Sequence, residues 1–465
     1  MKVHKFNNVI YFLLALVTFN SCNKSDFLNE RPQKSILTPS SLDDLQALLD
    51  MDGMMVGLDG QGLTPQLGES GSDNFYLLDA NFNTNLRPQM QNYYIWEAAP
   101  YNGVQVLDWE YPYRTILYTN SVLEGLEQIS EDGRDDNKIN SLRGQALFHR
   151  AHMYHQLAQV FAPPYDKDGA NDFPGLPLRL SADINEVLSI STVQQIYDLI
   201  LDDLKVSLPF LSIKNPYKHR PSKQAAYALL ARVYMTMHDY PRAKIYADSC
   251  LAIQNTLLDY NIVNSSTSQP FRVDGYNSPI NTEIIFYCGM LSQISQNYPT
   301  NFNYAFVDTT LYNSYHENDL RREVFFEQRP EGHRFKGSYS FINGRTHFFS
   351  GLAVDEVLLI RSECSVRLGN IDESLQDLNQ LLHARWRDGK FLPYESTNKD
   401  EVLETVLKER RKELLFRGLR WSDLRRLNQE GHNISLIRHT NGETFTLLPN
   451  DPRWVWPFPP EVTVQ

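Results

Sequence analysis

The chain of 465 residues is 42% hydrophobic and 22% charged with a net charge of −12, which supplies a large core or two joined ones and is too long for one small domain. An acidic body repels a phosphate backbone, so nucleic-acid binding is excluded as a main role, and a mean hydropathy of −0.42 with no second long apolar run argues against spanning a membrane. Cys22, Cys250, Cys288 and Cys364 show no zinc-like spacing, and the last three read as buried free thiols.

The N-terminus reads as secretory. Lys2 and Lys5 precede an apolar run over 9–17, and Phe19-Asn20-Ser21-Cys22 closes it: a basic start, a short apolar stretch and a small residue before a cut. The run is shorter than the roughly 20 residues needed to cross a bilayer. Cys22 after Ser21 resembles a bacterial lipobox, in which the cysteine is lipidated and becomes the first mature residue. The expected organisation is a signal peptide over 1–21, a lipidated polar tether over 22–39 and one domain over 40–465.

Ser40 or Ser41 caps a first helix carrying Leu42, Leu45, Leu48 and Leu49. Residues 53–102 then lose all period and fill with Gly, Asn, Asp and aromatic residues, which predicts a long irregular segment. Helical spacing returns near Trp109 and continues to Leu126; a second helix runs from Asp136 to Ala158 and stops before Pro163-Pro164. Ser191-Thr192 caps a third, ended by Pro209. Pro221-Ser222 opens a fourth, rich in alanine, and Asp239-Tyr240-Pro241 turns into a fifth ending near Leu251. Residues 255–350 are again irregular and aromatic. Val354 to Leu368 and Ile371 to Trp386 form another helical hairpin across Gly369-Asn370. A last long helix spans Asp400 to Arg417, followed by a short one from Trp421 to Leu427. The tail 448–465 is rich in Pro and Trp, lies extended and packs its rings back on the helices.

Helix pairs with small residues at their crossings and short polar turns predict an all-α fold of TPR-like helical hairpins, mainly over 109–253 and 353–428. Long loops over 53–102 and 255–350 are left to carry function.

No catalytic signature is present. Gly68-Glu69-Ser70-Gly71-Ser72 lacks the second glycine of a nucleophile elbow. His316-Glu317 would need a second histidine at Leu320 to make a zinc helix. His149, His152 and His155 share a helix face and read as a hydrogen-bonded or solvated row rather than a metal site. Asp202-Asp203 reads as a solvated helix face, and Glu409-Arg410-Arg411-Lys412-Glu413 as ion pairs at three- and four-residue steps. No pair of acids stands out as a glycosidase dyad. The chain is expected to be no enzyme and to need no cofactor or metal.

The loops carry the positive case. A sugar ring offers an apolar face, which aromatic rings match, and hydroxyls, which Asn, Asp and Arg match. The candidate ligand-binding residues are Asp73, Asn74, Tyr76, Trp96 and Tyr101 in the first loop and Tyr276, Tyr298 and Tyr304 in the second, with Trp96 foremost. The plain alternative is that these rings pin the loops to the scaffold.

Five blocks together resemble the SusD/RagB family of surface nutrient-binding lipoproteins. They are Arg143-Gly144-Gln145-Ala146 through Met153-Tyr154 and on to Pro163-Pro164; Arg220-Pro221-Ser222 through Val233-Tyr234; Asp355-Glu356 through Glu363-Cys364; Glu409-Arg410-Arg411 through Arg425-Arg426; and Asn450-Asp451-Pro452-Arg453-Trp454-Val455-Trp456-Pro457-Phe458-Pro459. Their order, behind a lipid signal, makes the set specific. His149, His152, Ser362 and Cys364 depart from the family's apolar, aromatic or small residues, as changes of core packing. The resemblance implies an all-α fold without catalysis, lipid-anchored at Cys22 on the outer face of the outer membrane. It implies a lid on a SusC-like TonB-dependent transporter, with the helices facing the transporter and the loops holding an oligosaccharide. Peptide ligands in the same role, or a TPR-type envelope scaffold without a small ligand, are the alternatives.

Overall fold

The computed structural model describes residues 41–58, 61–129, 135–271, 281–291, 298–301, 303–339 and 348–462. Cys22, the expected signal and tether, and Tyr276 lie outside these. Among the described residues no helix is long and apolar enough to cross a membrane.

Helix α1 (Leu42–Leu49) begins at Ser41, whose side chain accepts from Asp44 N while Asp44 reaches back to the Ser41 backbone; this reciprocal cap satisfies two end N–H groups. The segment expected to be irregular holds four short helices, α2 (Asp52–Met55), α3 (Leu67–Gly71), α4 (Asp79–Asn85) and α5 (Pro88–Tyr94), with strand β1 (Phe75–Leu77) between α3 and α4. None exceeds two turns, so none shows a hydrophobic period, which needs a window of about 11 residues.

The scaffold follows. α6 (Leu107–Glu127) packs on α7 (Asp136–Phe161), β2 (Pro174–Pro177) pairs with β3 (Ile190–Thr192), and α8 (Val193–Ser207) packs back on α7. α9 (Lys223–Thr236) and α10 (Tyr240–Ile253) pack on each other as a helical hairpin. Ser222 and Asp239 cap them by accepting from Ala225 N and Arg242 N, and Ala225, Ala226, Ala228, Ala231, Ala243 and Ala247 are fully buried at the crossing.

The second loop region contains β4 (Ile284–Phe286), β5 (Ala305–Val307), α11 (Thr309–Asn313), α12 (Arg321–Val324), β6 (Phe326–Arg329) and β7 (Gly332–Phe335). After β8 (Leu352–Ala353) come α13 (Val354–Arg367), α14 (Ile371–His383), α15 (Lys399–Glu413) and α16 (Arg420–Gln429), then the hairpin β9 (Leu436–Thr440) and β10 (Glu443–Leu447). Every sheet described is a two-stranded antiparallel pair: β1–β5, β2–β3, β4–β8, β6–β7 and β9–β10. The fold is all-α in its framework, as expected, with these ribbons confined to the loops.

Helix α15 ends four residues short of the expected Arg417. Phe416 and Gly418 take φ values of 56° and 73°, left-handed backbone that a helix cannot continue. The turn delivers Arg417 to Asp355 at 2.6 Å and the Gly418 N–H to Glu69 at 3.1 Å. The charged run before it also pairs differently from expectation. Lys412 does bond Glu409 at a three-residue step, but Glu409 and Glu413 hold the fully buried Arg321, Arg410 holds Asp423, and Arg411 reaches Asp73. Asp203 is buried rather than solvated, gripped by Arg150 through bonds of 2.7 and 2.8 Å. These side chains tie distant elements, which local spacing does not report.

His149, His152 and His155 are buried rather than solvated; His149 and His152 pack with Phe148 and Phe286, while His152 also meets Gln156 and His155 meets Thr236. Among the described residues both ring nitrogens of His149 lack a hydrogen-bond partner. Cys250, Cys288 and Cys364 are buried free thiols, as expected. The tail folds back: Trp454 lies 4.5 Å from Trp421, Trp456 meets Tyr93 at 5.6 Å, and Phe458 meets Trp109 at 4.8 Å.

Candidate ligand-binding site

The loop following α3 is positioned from across the molecule. Gly71 lets Trp421 of α16 approach so closely that a Cβ there would meet the indole at 2.7 Å. Two residues on, Asp73 receives the Arg420 guanidinium in two parallel bonds, 2.7 Å from Nε to Oδ1 and 2.8 Å from Nη2 to Oδ2, and Arg411 stands 3.1 Å away. Burial alone would push the Asp73 carboxyl up, but the two guanidinium groups hold it well below the usual carboxylate range. β1 then pairs with β5, placing Tyr76 opposite Phe306 with their rings stacked at 5.7 Å. The Tyr76 hydroxyl donates to the Glu331 carbonyl at 3.0 Å, in the turn between β6 and β7.

Arg438 of β9 closes the other side. Its guanidinium lies 3.9 Å from the Tyr94 ring, 4.7 Å from Trp96 and 4.8 Å from Phe75, and it donates to the carbonyls of Tyr94, Ser70 and Ser72. Burial without a bonded carboxylate pulls its pKa down to about 10. The hairpin carrying it turns at Asn441-Gly442, with φ values of 54° and 79°, the geometry that Asn-Gly favours between paired strands.

Between β1, Trp96, the start of α11 and β9 lies a cavity of about 490 Å³, within the usual range for a small-ligand site. Its floor is apolar and aromatic, from Phe75, Tyr94, Trp96 and Leu436. Its rim is half-buried or exposed and polar, from Tyr76, Asp73, Asp308, Thr309 and His439. A sugar ring can lie against the half-buried Tyr76 side chain while its hydroxyls reach the polar groups of the rim.

Three of the eight candidate residues, Asp73, Tyr76 and Trp96, meet at this cavity. Trp96 contributes to the floor rather than an open face: it is 2% exposed, its Nε1 donates to the Gly71 carbonyl at 2.9 Å, and Arg438 covers its ring. Asn74, Tyr101, Tyr298 and Tyr304 are buried in the loop framework away from the cavity lining. Asn74 donates to Glu69, Tyr101 to the Pro457 carbonyl, Tyr298 to Asp108 at 2.6 Å and Tyr304 to the Tyr298 carbonyl. These four pin the loops. Asp308, Thr309, Arg438 and His439 were not among the sequence candidates. The signal for the last two was Asn441-Gly442 after the alternating Leu436, Arg438 and Thr440.

A second cluster invites a metal reading. Glu283, Asp355 and Glu413 are buried with oxygens within 4.8 Å of one another. Their charge is met by Arg385, which bonds Glu283 and Glu413, and by Arg417, which bonds Asp355. Burial pushes the Glu283 carboxyl up to about 7. The residues fit a buried ion-pair network that joins the second loop region to α13 and α15.

Residues 26–235 match the model of a SusD-like family described as starch-binding and associating with the outer membrane, and residues 355–457 match that of the SusD family. The SusD-like protein P2 of Formosa agariphila is 24% identical over 379 residues, spanning 70% of this chain and 72% of that protein. A SusD superfamily protein from Bacteroides thetaiotaomicron superposes with a TM-score of 0.70 at 20% identity, covering 89% of this chain and 96% of that one. A SusD-like carbohydrate-binding protein from Bacteroides vulgatus gives 0.66 at 20% identity, covering 90% and 95%. With helical hairpins, folded-back tail and both family matches in agreement, the chain belongs to the SusD/RagB family.

Proposed function

We propose that this chain is a cell-surface glycan-capture protein, anchored in the outer membrane through lipid on Cys22, that holds an oligosaccharide in the cavity beside Tyr76. It delivers that ligand to a SusC-like TonB-dependent transporter. The observation that carries the reading is the cavity itself, an aromatic floor under a rim of hydroxyl, carboxylate and imidazole groups. The family descriptions point the same way, starch-binding with outer-membrane association for one matched model and carbohydrate binding for one structural neighbour.

The cavity binds rather than cleaves. A glycosidase needs a carboxyl group whose pKa is raised so that it can protonate a leaving oxygen. Asp73 is held the opposite way by Arg420 and Arg411. Asp308 caps α11 by accepting from Leu311 N at 2.8 Å.

The test is a binding screen of the purified protein against glycan and peptide pools, with pull-down from outer-membrane extracts. Glycan binding with copurification of a TonB-dependent barrel is expected. Binding of peptides alone would overturn the ligand class, and copurification with other envelope proteins and no small ligand would overturn the whole reading.

A further inference from the structure

The groove between the first turns of α6 and the C-terminal tail shares no lining residue with the cavity beside Tyr76. It encloses about 500 Å³. Its wall is an immobilised aromatic shelf. The Trp109 indole lies 4.7 Å from the Tyr113 ring, and holds Phe161 at 5.1 Å and Phe458 at 4.8 Å. Tyr113 is itself fixed by a 2.7 Å bond from its hydroxyl to the Pro177 carbonyl. Three ring contacts set the plane of the indole, yet Trp109 stays only half-buried. Such pre-set rings bind at low entropic cost.

Arg114, one residue beyond Tyr113, also lines the groove. Its guanidinium lies 4.0 Å over the Tyr111 ring, and among the described residues its buried Nε has no hydrogen-bond partner. Single nitrogens of Arg232, Arg410, Arg411 and Arg426 are also unpartnered, but each of those arginines is bonded to a carboxylate through another nitrogen, which, among the described residues, Arg114 is not. A guanidinium with no acceptor is under-satisfied, and a ligand hydroxyl that reaches its terminal nitrogens from the groove supplies one. An apolar side chain in the groove would leave Arg114 unpaired; a sugar hydroxyl would not. Glu110 and Glu461 balance Arg114 and Arg179 around the groove, so its lining favours no ionic charge in the ligand.

We propose that this groove is a second sugar-binding platform, taking a neutral pyranose ring face-on to Trp109 with hydroxyls accepting from Arg114. The proposal rests on the glycan-capture reading and adds a site to it.

The test uses the full chain and an array of neutral gluco-, manno-, galacto- and xylo-oligosaccharides, with each hit titrated by calorimetry. Two sites per chain are expected. Trp109→Ala or Arg114→Gln should remove one of them or weaken it at least tenfold, Trp109→Phe should retain most of it, and Tyr76→Ala should leave it in place. Arg114→Gln carries the test should Trp109→Ala fail to fold. Unchanged stoichiometry and affinity in Trp109→Ala and Arg114→Gln, with all binding lost in Tyr76→Ala, would overturn the platform and leave glycan capture standing. Failure of the wild-type chain to bind any glycan would overturn both.

Discussion

Arg420 and Asp73 meet fork to fork, through bonds of 2.7 and 2.8 Å, across 347 residues of chain. The pair fixes the entry to β1, and therefore Tyr76, against the helical framework. Removing one member of a largely buried pair leaves the other uncompensated, at about 3 kcal/mol. Asp73→Asn should lower the denaturation midpoint by a corresponding amount. Because Asp73 is held below its ordinary pKa, its contribution is complete above about pH 4 and is lost as pH falls further. The variant's stability should therefore depend less on pH in that acid window. A midpoint equal to wild type would show that the pair does not anchor the loop.

The buried histidines set a second, higher acid limit. Burial pulls His149 and His155 down to about 3, with His219 facing the first and the Arg232 cation facing the second; His152 is lowered too, by burial and by Arg232 and its two neighbours. Each stays neutral in the fold while the unfolded chain takes up a proton below about pH 6.5. Stability is thus whole above that pH and falls below it, by about 2 kcal/mol per histidine at pH 5. His149→Leu should flatten the loss of stability between pH 7 and pH 5, measured by urea unfolding at each pH. An unchanged slope would mean that His149 is protonated in the fold.

Gly332 guards the Tyr76 side chain from below. A Cβ at this position, where φ is 152°, would sit 2.6 Å from the Tyr76 hydroxyl and 3.1 Å from the Phe306 ring. Gly332→Ala should displace Tyr76 and weaken ligand binding about tenfold, or about 1.4 kcal/mol. Its cost to stability should stay near 1 kcal/mol. Calorimetry with the best glycan of the screen reads the first and thermal unfolding the second. Binding at wild-type strength would show that Tyr76 need not be held in this place.

Cys22 lies outside the described residues, and its role is tested directly. Cys22→Ala should move the protein out of the membrane fraction and leave ligand binding by the folded body intact. Retention on the membrane would contradict lipid anchoring.

The long helices were legible because their apolar spacing is reinforced by caps that can be read locally: Ser41, Thr192, Ser222 and Asp239 all cap as their positions suggest. The return of the Trp-rich tail to the core was legible for a similar reason, since those rings need cover. The short helices α2 to α5 were not, having too few turns for a period. Trp96 illustrates the limit at the site. A tryptophan in a polar loop reads the same whether its face is open or, as here, covered by an arginine from 342 residues further along. Arg150 with Asp203, and Arg438 over three rings, are likewise products of tertiary folding that no local pattern announces. Asp73 and Tyr76 stood out as a polar and an aromatic group in one loop, and the structure brings both to the cavity, Tyr76 within β1 and Asp73 two residues before it.

The central claim is that the cavity beside Tyr76 captures glycan. Its most direct test is calorimetric titration of the best-binding oligosaccharide into wild type and Tyr76→Ala, each checked for the same unfolding temperature. Loss of the Tyr76 site, with at least a tenfold weaker affinity there, is the predicted result. Full affinity at an unchanged number of sites in Tyr76→Ala would contradict it.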